Sequence, residues 1–235
     1  VLDLIGPTRP LVFHFHGPWA LESEVAGDGP LKTRCKSLIE NFAYRRAARV
    51  IVLSSAFRDL LVQSYDVNPD RVDIVPGGVE IDRFDCPKSP AAAREQLEWP
   101  SDRPIILSVR RLVRRVGLES LVSAMEIVRD RRPDALLLMA GRGPLADELR
   151  TQIEAAGLQE HVRLLGFVPD EDLPLAYRAA DVSVMPTRDL EGFGLSAVES
   201  LAAGTPVLVT AVGGLPEVVR DLSDQLIIED DSPRA

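Results

Sequence analysis

The chain has 235 residues, 46% of them hydrophobic and 27% charged, a globular composition that excludes a disordered chain, a collagen and a coiled coil. Its net charge of −9 argues against nucleic acid as a partner, and its apolar runs fall far short of the roughly 18 residues that a membrane span needs. Two cysteines, Cys35 and Cys86, are too few for a disulfide framework and lack metal-ligand spacing, so we expect a reduced, cytoplasmic protein.

The first third of the chain alternates strands and helices. In chain order, the apolar patterns predict a strand over 11–16, a helix over 31–48, a strand over 50–53, a helix capped by Ser54 and a strand over 72–75. Such alternation is typical of a parallel sheet covered by helices. We therefore predict a first α/β domain over 1–85.

A proline-rich stretch with a short helix over 91–97 follows, and we interpret 86–101 as an interdomain linker. A second domain over 102–235 then alternates again. Its predicted strands are 104–109, 135–139, 162–165, 182–185 and 206–209, and its predicted helices are 118–129, 145–156, 173–180 and 194–203. Five parallel strands with short links predict a doubly wound domain, in which ligands bind at the carboxyl ends of the strands.

A glycine turn at 141–146 matches the G-x-G-x-x-A fingerprint of dinucleotide-binding proteins. An NAD-linked oxidoreductase would also need an acidic residue at the end of the next strand, to bind the ribose of the cofactor. Gly166 and Phe167 stand there instead. We therefore expect the Gly141 turn to bring its backbone close to some other ligand, and the oxidoreductase is the least favoured of three interpretations.

The segment 191–199, Glu-Gly-Phe-Gly-Leu-Ser-Ala-Val-Glu, follows a predicted strand and opens a predicted helix. Its glycines leave backbone N–H groups open to a ligand, and the positive end of a helix dipole attracts an anion. Glu191 and Glu199 add carboxylates that accept hydrogen bonds from hydroxyl groups. Phosphates flanked by two polyols satisfy both features, so the segment predicts a nucleotide-sugar site.

This segment, running on through 202–207, resembles the signature of retaining glycosyltransferases of family 4. The blocks at 75–80, 166–168, 179–182 and 213–219 resemble further motifs of that family, in the same order along the chain. The resemblance implies an α/β fold of GT-B type, with two Rossmann-like doubly wound parallel-sheet domains. It also implies transfer of a hexosyl group from a nucleoside-diphosphate sugar to an acceptor hydroxyl with retention of configuration, with no metal and no cofactor. A non-catalytic nucleotide-sugar-binding protein of the same fold is the second interpretation.

The resemblance assigns roles to individual positions. Glu191 would contact the donor sugar near the reaction centre, and Glu199 would hold the ribose. The strand end at Phe167 and Val168 would meet the base through its backbone. The full donor-binding set that the resemblance implies is Arg111, Arg115, Gly141, Val168, Gly192, Phe193, Gly194, Leu195 and Glu199.

Four arginines lie within six residues in the loop 110–115, just after the first strand of the second domain. A guanidinium binds phosphate through two N–H groups at once. The resembled family has an arginine and, five residues later, a lysine on the donor diphosphate. Arg111 fits the arginine, whereas Val116 replaces the lysine. We expect Arg115 or Arg114 to supply that charge, or the leaving group to be bound less strongly.

The first domain has candidates for contacts on the acceptor side, around the end of its first strand. We expect His16 to end that strand near the transferred sugar, where the resembled family has a histidine, and His14 to lie on the opposite side of the strand. Trp19 and Glu22 are candidates for contacts to an acceptor, although an aromatic ring packs equally well in a core. The catalytic set that the resemblance implies is Glu191, His16 and Arg111.

Six basic residues and a single acid, Glu40, lie along 32–49 beside the apolar Leu38, Ile39 and Phe42. Two interpretations of this predicted helix stay open: it packs on the sheet with a solvated basic face, or it lies peripherally on an anionic membrane. The acceptor stays open among sugars, lipid-linked molecules and small molecules. The expected location is cytoplasmic, or peripheral at the inner membrane face.

The resembled family has two complete domains. Compared with it, the first domain here begins in mid-sheet and the second stops before the terminal helices. We therefore expect an internal fragment of a longer transferase, with an incomplete first domain, that binds the sugar donor weakly and catalyses poorly by itself.

Overall fold

The computed structural model describes residues 10–229 and 232–234, which divide into two compact units. The first unit comprises the residues up to Gly77 together with Leu190–Phe193, and the second comprises Gly78–Asp189 and the residues from Gly194 onward. The segment 86–101, interpreted from the sequence as a linker, belongs to the second unit.

The first unit is built on a small parallel sheet. Its elements are β1 Val12–His14, α1 Trp19–Val25, α2 Pro30–Arg46, β2 Arg49–Val52, α3 Ser55–Tyr65 and β3 Val72–Ile74, with the strands in the order β1-β2-β3. The buried rings of Phe15, Tyr44, Phe57 and Tyr65 pack edge to face or tilted, with centroids 5.0 to 6.5 Å apart. This aromatic cluster joins α2 and α3 to the chain that leaves β1.

The second unit is built on a larger sheet whose six strands all run parallel. Its elements are α4 Ile81–Phe84, α5 Pro90–Gln96, β4 Ile105–Val109, α6 Leu118–Arg131, β5 Leu136–Ala140, α7 Ala146–Ala155, β6 Val162–Gly166, α8 Leu173–Ala179, β7 Val182–Met185, α9 Leu195–Ala202, β8 Val207–Thr210, α10 Leu215–Val219 and β9 Ile227–Ile228. The strands lie in the order β6-β5-β4-β7-β8-β9.

Strand β5 shows how helices cover both faces of the second sheet. All five of its residues are buried. Leu137 and Met139 pack with α6 and α7, whereas Leu136 and Leu138 pack with α8. Successive side chains of a strand point to opposite faces, so a strand buried on both faces is apolar throughout. This is the doubly wound arrangement that the apolar runs predict.

Most predicted elements are confirmed to within a few residues, and Ser54 caps α3 as predicted, accepting a hydrogen bond from the N–H group of Phe57 at 3.2 Å. The structure adds α1, α4, α10 and a sixth strand, β9. Helix α1 buries only Ala20 and Ser23, so no apolar stripe marks it in the sequence. No helix among the described residues has the length and apolar run that crossing a membrane requires.

Candidate functional site

Five of the nine predicted donor-binding residues lie in the turn between β7 and α9 or in α9 itself. Gly194 immediately precedes α9 and has a φ of +97°. A Cβ there would collide with the side chain of Leu215. The backbone conformation and the lack of space both require glycine. No described side chain caps α9, so the first turn of this helix, with Leu195 exposed, presents N–H groups that suit an anion.

Within the turn between β7 and α9, Leu190–Phe193 group with the first unit. A Cβ at Gly192 would lie 2.9 Å from the buried ring of Phe57, so glycine permits a close approach to α3. Glu191 is half-buried next to it. The family-like signature is therefore divided, with Glu191 in the first unit and Glu199 in the second.

Glu199 has a buried partner that sequence reasoning missed. The hydroxyl of Tyr177 in α8 donates a hydrogen bond to Glu199 Oε2 at 2.9 Å, and Tyr177 is 1% exposed. Burial, and then the nearby Glu199 carboxylate, raise the pKa of Tyr177 far above its usual value, so it stays a neutral hydrogen-bond donor at physiological pH. Tyr177 thereby fixes one carboxylate oxygen of Glu199, and the other oxygen keeps lone pairs for a ligand hydroxyl.

The loop after β4 holds the predicted phosphate-binding arginines. Arg111 is exposed, and its guanidinium makes no hydrogen bond or ion pair with any described residue. Arg114, in contrast, is paired with Glu148 at 2.8 Å and with Glu119 at 3.4 Å. Val116, at the position of the expected lysine, is buried in the apolar core of the second unit. Arg111 is therefore the better placed of these arginines to meet an incoming anion.

Hydrogen bonds join both ends of the arginine loop to the turn after β7. The carbonyl oxygen of Arg115 accepts hydrogen bonds from the N–H groups of Arg188 at 2.9 Å and Asp189 at 3.2 Å. A guanidinium nitrogen of Arg110 donates to the hydroxyl of Thr187 at 3.2 Å. The arginine loop and the turn after β7 are thus joined within the second unit.

The glycine turn after β5 packs on the same arginine loop. Gly141 has a φ of +146°, and a Cβ there would collide with the carbonyl oxygen of Arg110. A Cβ at Gly143 would collide with the carbonyl oxygen of Leu112. Close packing of two backbones therefore explains both glycines of the G-x-G-x-x-A pattern, and the approach of Gly141 to a ligand stays a prediction.

The chain after β6 presents an exposed ring where the base was expected. Phe167 is 58% exposed, and the guanidinium of Arg142 lies 5.3 Å from the centre of its ring. A guanidinium over a ring face is a favourable cation–π arrangement. Val168, the predicted contact to the base, is half-buried next to it.

Four neighbouring strands bring the candidates of the second unit to one edge of its sheet. The strands lie in the order β6-β5-β4-β7, and they are followed by Phe167, Gly141, the arginine loop and the turn before α9, respectively. Because the strands are parallel, these segments all lie at the carboxyl edge, where open α/β sheets bind ligands. No group of His, Cys, Asp or Glu side chains in the part of the chain that the structure describes could hold a metal ion.

The two histidines of the first unit lie together rather than apart. β1 ends at His14, two residues earlier than predicted, and the ring centroids of His14 and His16 are 4.0 Å apart. The expectation that they lie on opposite sides is wrong, because residues two apart along an extended chain share a face. Burial, and then the neighbouring His16, lower the pKa of His14. His16 is exposed, as a residue that meets a ligand must be.

The two predicted acceptor contacts, Trp19 and Glu22, lie in the first turns of α1. The Trp19 ring is half-exposed, with Lys36 Nζ 4.8 Å from its centre. Glu22 lies against Gly17, where a Cβ would be 3.1 Å from Glu22 Oε1. Glu40 is the single acid of a basic helix in the sequence, and its carboxylate accepts a hydrogen bond from the backbone N–H group of Trp19 at 2.7 Å.

Comparison with protein families decides the family of this chain. The model of the family described as glycosyl transferases group 1 matches residues 91–235, which is more than half of the chain. The chain belongs to the glycosyl transferases group 1. The model described as Glycosyltransferase Family 4 matches residues 2–83, so the predicted family is confirmed on both parts of the chain.

Relatives of this group 1 chain match most of it but extend well beyond it. A D-inositol 3-phosphate glycosyltransferase from Streptomyces scabiei is 34% identical over 236 residues, covering 96% of this chain and 53% of the relative. A GDP-mannose-dependent alpha-(1-6)-phosphatidylinositol monomannoside mannosyltransferase from Mycolicibacterium smegmatis is 38% identical over 154 residues, covering 63% and 40%. The chain thus spans about half the length of the relatives it matches.

Solved structures give the same fold. Sucrose-phosphate synthase from Thermosynechococcus elongatus superposes with a TM-score of 0.72 at 30% identity, covering 87% of this chain and 51% of that one. HepE of Anabaena in complex with UDP superposes with a TM-score of 0.72 at 25% identity, covering 89% and 55%. With the parallel sheets described above, these likenesses confirm the predicted α/β fold of GT-B type.

In this group 1 chain, sequence reasoning missed three residues that contact candidate site residues. They are Tyr177, Arg142 and Glu40, which contact Glu199, Phe167 and Trp19, respectively. Each of the three lies in a different element from the residue that it contacts, so the contact could not be predicted from spacing along the chain. Only Glu40 had a signal in the sequence, because it is the single acid in a predicted helix that is otherwise basic.

Proposed function

We propose that this chain is the part of a glycosyltransferase that binds a nucleoside-diphosphate sugar at the carboxyl edge of the second sheet and transfers its hexosyl group to an acceptor hydroxyl with retention of configuration. The observation that carries the proposal is the exposed Arg111, without a described partner, on the same sheet edge as the uncapped N-terminus of α9. Both supply positive charge for a diphosphate. The D-inositol 3-phosphate glycosyltransferase among the relatives and the UDP bound to HepE support it.

The proposed mechanism follows from where charge develops. As the bond from the anomeric carbon to the phosphate oxygen breaks, negative charge grows on the leaving diphosphate. Arg111 and the N–H groups that begin α9 would stabilise that charge, which is the largest electrostatic contribution that such a site makes. The leaving phosphate oxygen would take the proton of the acceptor hydroxyl while the new bond forms on the same face of the sugar. We propose no metal and no cofactor in this step.

The carboxylates have separate roles in this proposal. Glu199, held by Tyr177 at 2.9 Å, would accept hydrogen bonds from the ribose hydroxyls. Glu191 would contact the donor sugar near the reaction centre, and His16 would lie near the transferred group. Replacing Glu191 with Ala should therefore sharply lower transfer without preventing the nucleoside diphosphate from binding.

Calorimetry followed by product analysis tests the proposal. We expect the chain to bind at least one of UDP, GDP and ADP and not to bind NAD, and a panel of nucleotide sugars to yield a glycoside with the donor's anomeric configuration by NMR. Binding of NAD alone would make the chain an oxidoreductase. Binding of a nucleoside diphosphate without product, in a full-length relative carrying the same site as well as in this chain, would make it a non-catalytic binder.

We also propose an anionic lipid surface as a partner of α2. The exposed face of this helix is apolar and cationic, with Leu31 77%, Leu38 65% and Phe42 53% exposed beside Arg34 and Arg45. Its buried residues are instead Glu40 and Tyr44. A surface helix ordinarily buries its apolar face, and this reversed arrangement suits the boundary between lipid head groups and acyl chains.

Vesicle sedimentation tests this partner. We expect binding to vesicles that contain phosphatidylglycerol, none to pure phosphatidylcholine vesicles, and loss of binding in the double variant Leu38→Ser/Phe42→Ser. Leu222→Ser, which changes an equally exposed leucine of the second unit, is the matched control and should bind normally. No binding by the wild-type chain, or a concentration-dependent dimer that the double variant abolishes, would contradict a lipid partner.

A further inference from the structure

The Glu40 carboxylate is a buried hydrogen-bonding centre of the first unit. Glu40 is 6% exposed and lies in α2. Its Oε1 accepts hydrogen bonds from the Trp19 N–H group at 2.7 Å and the Tyr44 hydroxyl at 2.8 Å. Its Oε2 accepts from the Ala20 N–H group and the Tyr65 hydroxyl, each at 3.0 Å. Four polar hydrogens thus converge on one buried charge.

The two hydrogen bonds from backbone N–H groups hold the first residues of α1. The first N–H groups of a helix have no partner within it, and Pro18, which precedes α1, has no side chain that could cap them. Glu40 takes the place of a local cap, because it accepts the N–H groups of Trp19 and Ala20 across a separation of about 20 residues. Its negative charge also lies at the positive end of the helix dipole, where it is stabilising.

The other two bonds fasten the carboxylate itself. Tyr44 and Tyr65 are buried in the aromatic cluster, and burial together with Glu40 raises the pKa of each far above its usual value. Both hydroxyls therefore remain protonated and keep donating to Glu40. The two hydroxyls hold the carboxylate in the core, and the carboxylate in turn holds the first residues of α1.

The short segment between β1 and α1 carries His16. On one side of it, Phe15 is fully buried in the aromatic cluster. On the other side, Pro18 is buried and Trp19 is bonded to Glu40. His16 is exposed between these two fixed points, next to Gly17. The backbone of His16 is therefore held by the core on one side and by Glu40 on the other.

We propose that Glu40 is a positioning residue, whose buried carboxylate fixes the segment from His16 to Trp19 for the acceptor side of the reaction. The inference rests on the proposed glycosyl transfer, in which His16 lies near the transferred group. Glu40 would touch neither substrate. It would act by holding the start of α1, and so would affect turnover more than binding of the nucleotide sugar.

Amide hydrogen exchange tests the placement of Glu40 without any need for activity. In Glu40→Gln one carboxylate oxygen becomes an NH2 group, which cannot accept, so at least one of the N–H groups of Trp19 and Ala20 loses its partner. We expect exchange at these two amides to speed up about tenfold or more. Tyr65→Phe, which removes one hydrogen bond to the same oxygen but leaves the α1 amides bonded, is the matched control. If both variants raise exchange at Trp19 and Ala20 equally, Glu40 has no special hold on α1 and the proposal is overturned.

Steady-state kinetics test the consequence. We expect Glu40→Gln to lower kcat about tenfold and to leave the KM of the nucleotide sugar within about twofold, because a positioning defect on the acceptor side acts in the transition state. Tyr65→Phe should keep kcat within about twofold at a temperature where both variants are fully folded. Equal losses in the two variants, or an unchanged kcat in Glu40→Gln, would reduce Glu40 to a structural residue. If the wild-type enzyme transfers no sugar, the proposed function fails, and the exchange experiment still decides whether Glu40 fixes this segment.

Discussion

The two units hold their candidate residues by different physical means. In the second unit, backbone segments that follow parallel strands pack directly on one another, and glycines such as Gly141 and Gly194 stand where a side chain would collide. In the first unit, the segment that carries His16 is held by a side chain, the buried Glu40. A site built from backbone leaves glycines in the sequence, whereas one held by a distant carboxylate leaves no motif.

Gly194→Ala should have the largest effect, and it tests whether the donor-side turn depends on backbone fit. The backbone of Gly194 is left-handed, which a residue with a Cβ disfavours, and the Cβ would collide with the Leu215 side chain, so we expect a loss of about 2 to 4 kcal/mol in the free energy of unfolding. Urea denaturation measures this loss. Gly157→Ala, at a similar positive φ with open space around it, should lose only about 1 kcal/mol. Equal losses would mean that packing at Gly194 is unimportant.

Arg111→Ala tests whether the exposed arginine is the anion contact of the second unit. We expect the Kd for a nucleoside diphosphate to rise about tenfold to a hundredfold, since a hydrogen bond to a charged group contributes about 1.5 to 3 kcal/mol. Stability should not change. Arg114→Ala is the matched control, because Arg114 is occupied by Glu148, and calorimetry should show unchanged affinity. A larger loss of affinity in Arg114→Ala than in Arg111→Ala would reverse the assignment of the two arginines.

Ser54→Ala separates local helix stability in the first unit from function. Loss of the hydrogen bond that caps α3 should lower the free energy of unfolding by about 1 kcal/mol. Affinity for a nucleoside diphosphate should stay near the wild-type value, because the proposed contacts to the diphosphate and the ribose, Arg111, the first turn of α9 and Glu199, belong to the second unit. Thermal denaturation and calorimetry on the same sample check both statements, and weaker binding would show that the first unit contributes to it.

Tyr177→Phe should have the smallest effect, and it tests the hydrogen bond that orients Glu199. Without the hydroxyl, Glu199 is less well oriented, and we expect the Kd for a nucleoside diphosphate to rise about threefold. Binding of inorganic pyrophosphate, which has no ribose, should be unchanged. If affinity for pyrophosphate falls as much as that for the nucleoside diphosphate, Glu199 does not serve the ribose.

The difference between the two units also explains which features could be predicted from the sequence. A strand over 135–139 could be predicted because all of its residues are apolar, and it is observed one residue later, at Leu136–Ala140. Arg111 and Gly194 could be placed at one sheet edge because loops that follow parallel strands meet there. Helix α1 could not be predicted, since it buries only Ala20 and Ser23. β9 has two residues, too few for a pattern. Bonds such as that of Tyr177 to Glu199 depend on the packing of separate helices.

One prediction failed for a different reason. His14 and His16 were expected on opposite sides of the strand, although two-residue spacing puts side chains on the same face. Their rings are 4.0 Å apart. The sequence alone therefore contained enough to pair them, and the pairing places a second imidazole beside the candidate His16.

The most direct test of a donor site on the second unit is a titration of the 15N-labelled chain with UDP, GDP or ADP, whichever calorimetry finds to bind, followed by NMR. We expect the amide signals of Leu195, Ser196 and Glu199 and of the loop around Arg111 to move together with one Kd, and those of Trp19 and Ala20 to stay in place. Shifts confined to the first unit, or shifts that persist unchanged in Arg111→Ala, would contradict a donor site at the carboxyl edge of the second sheet.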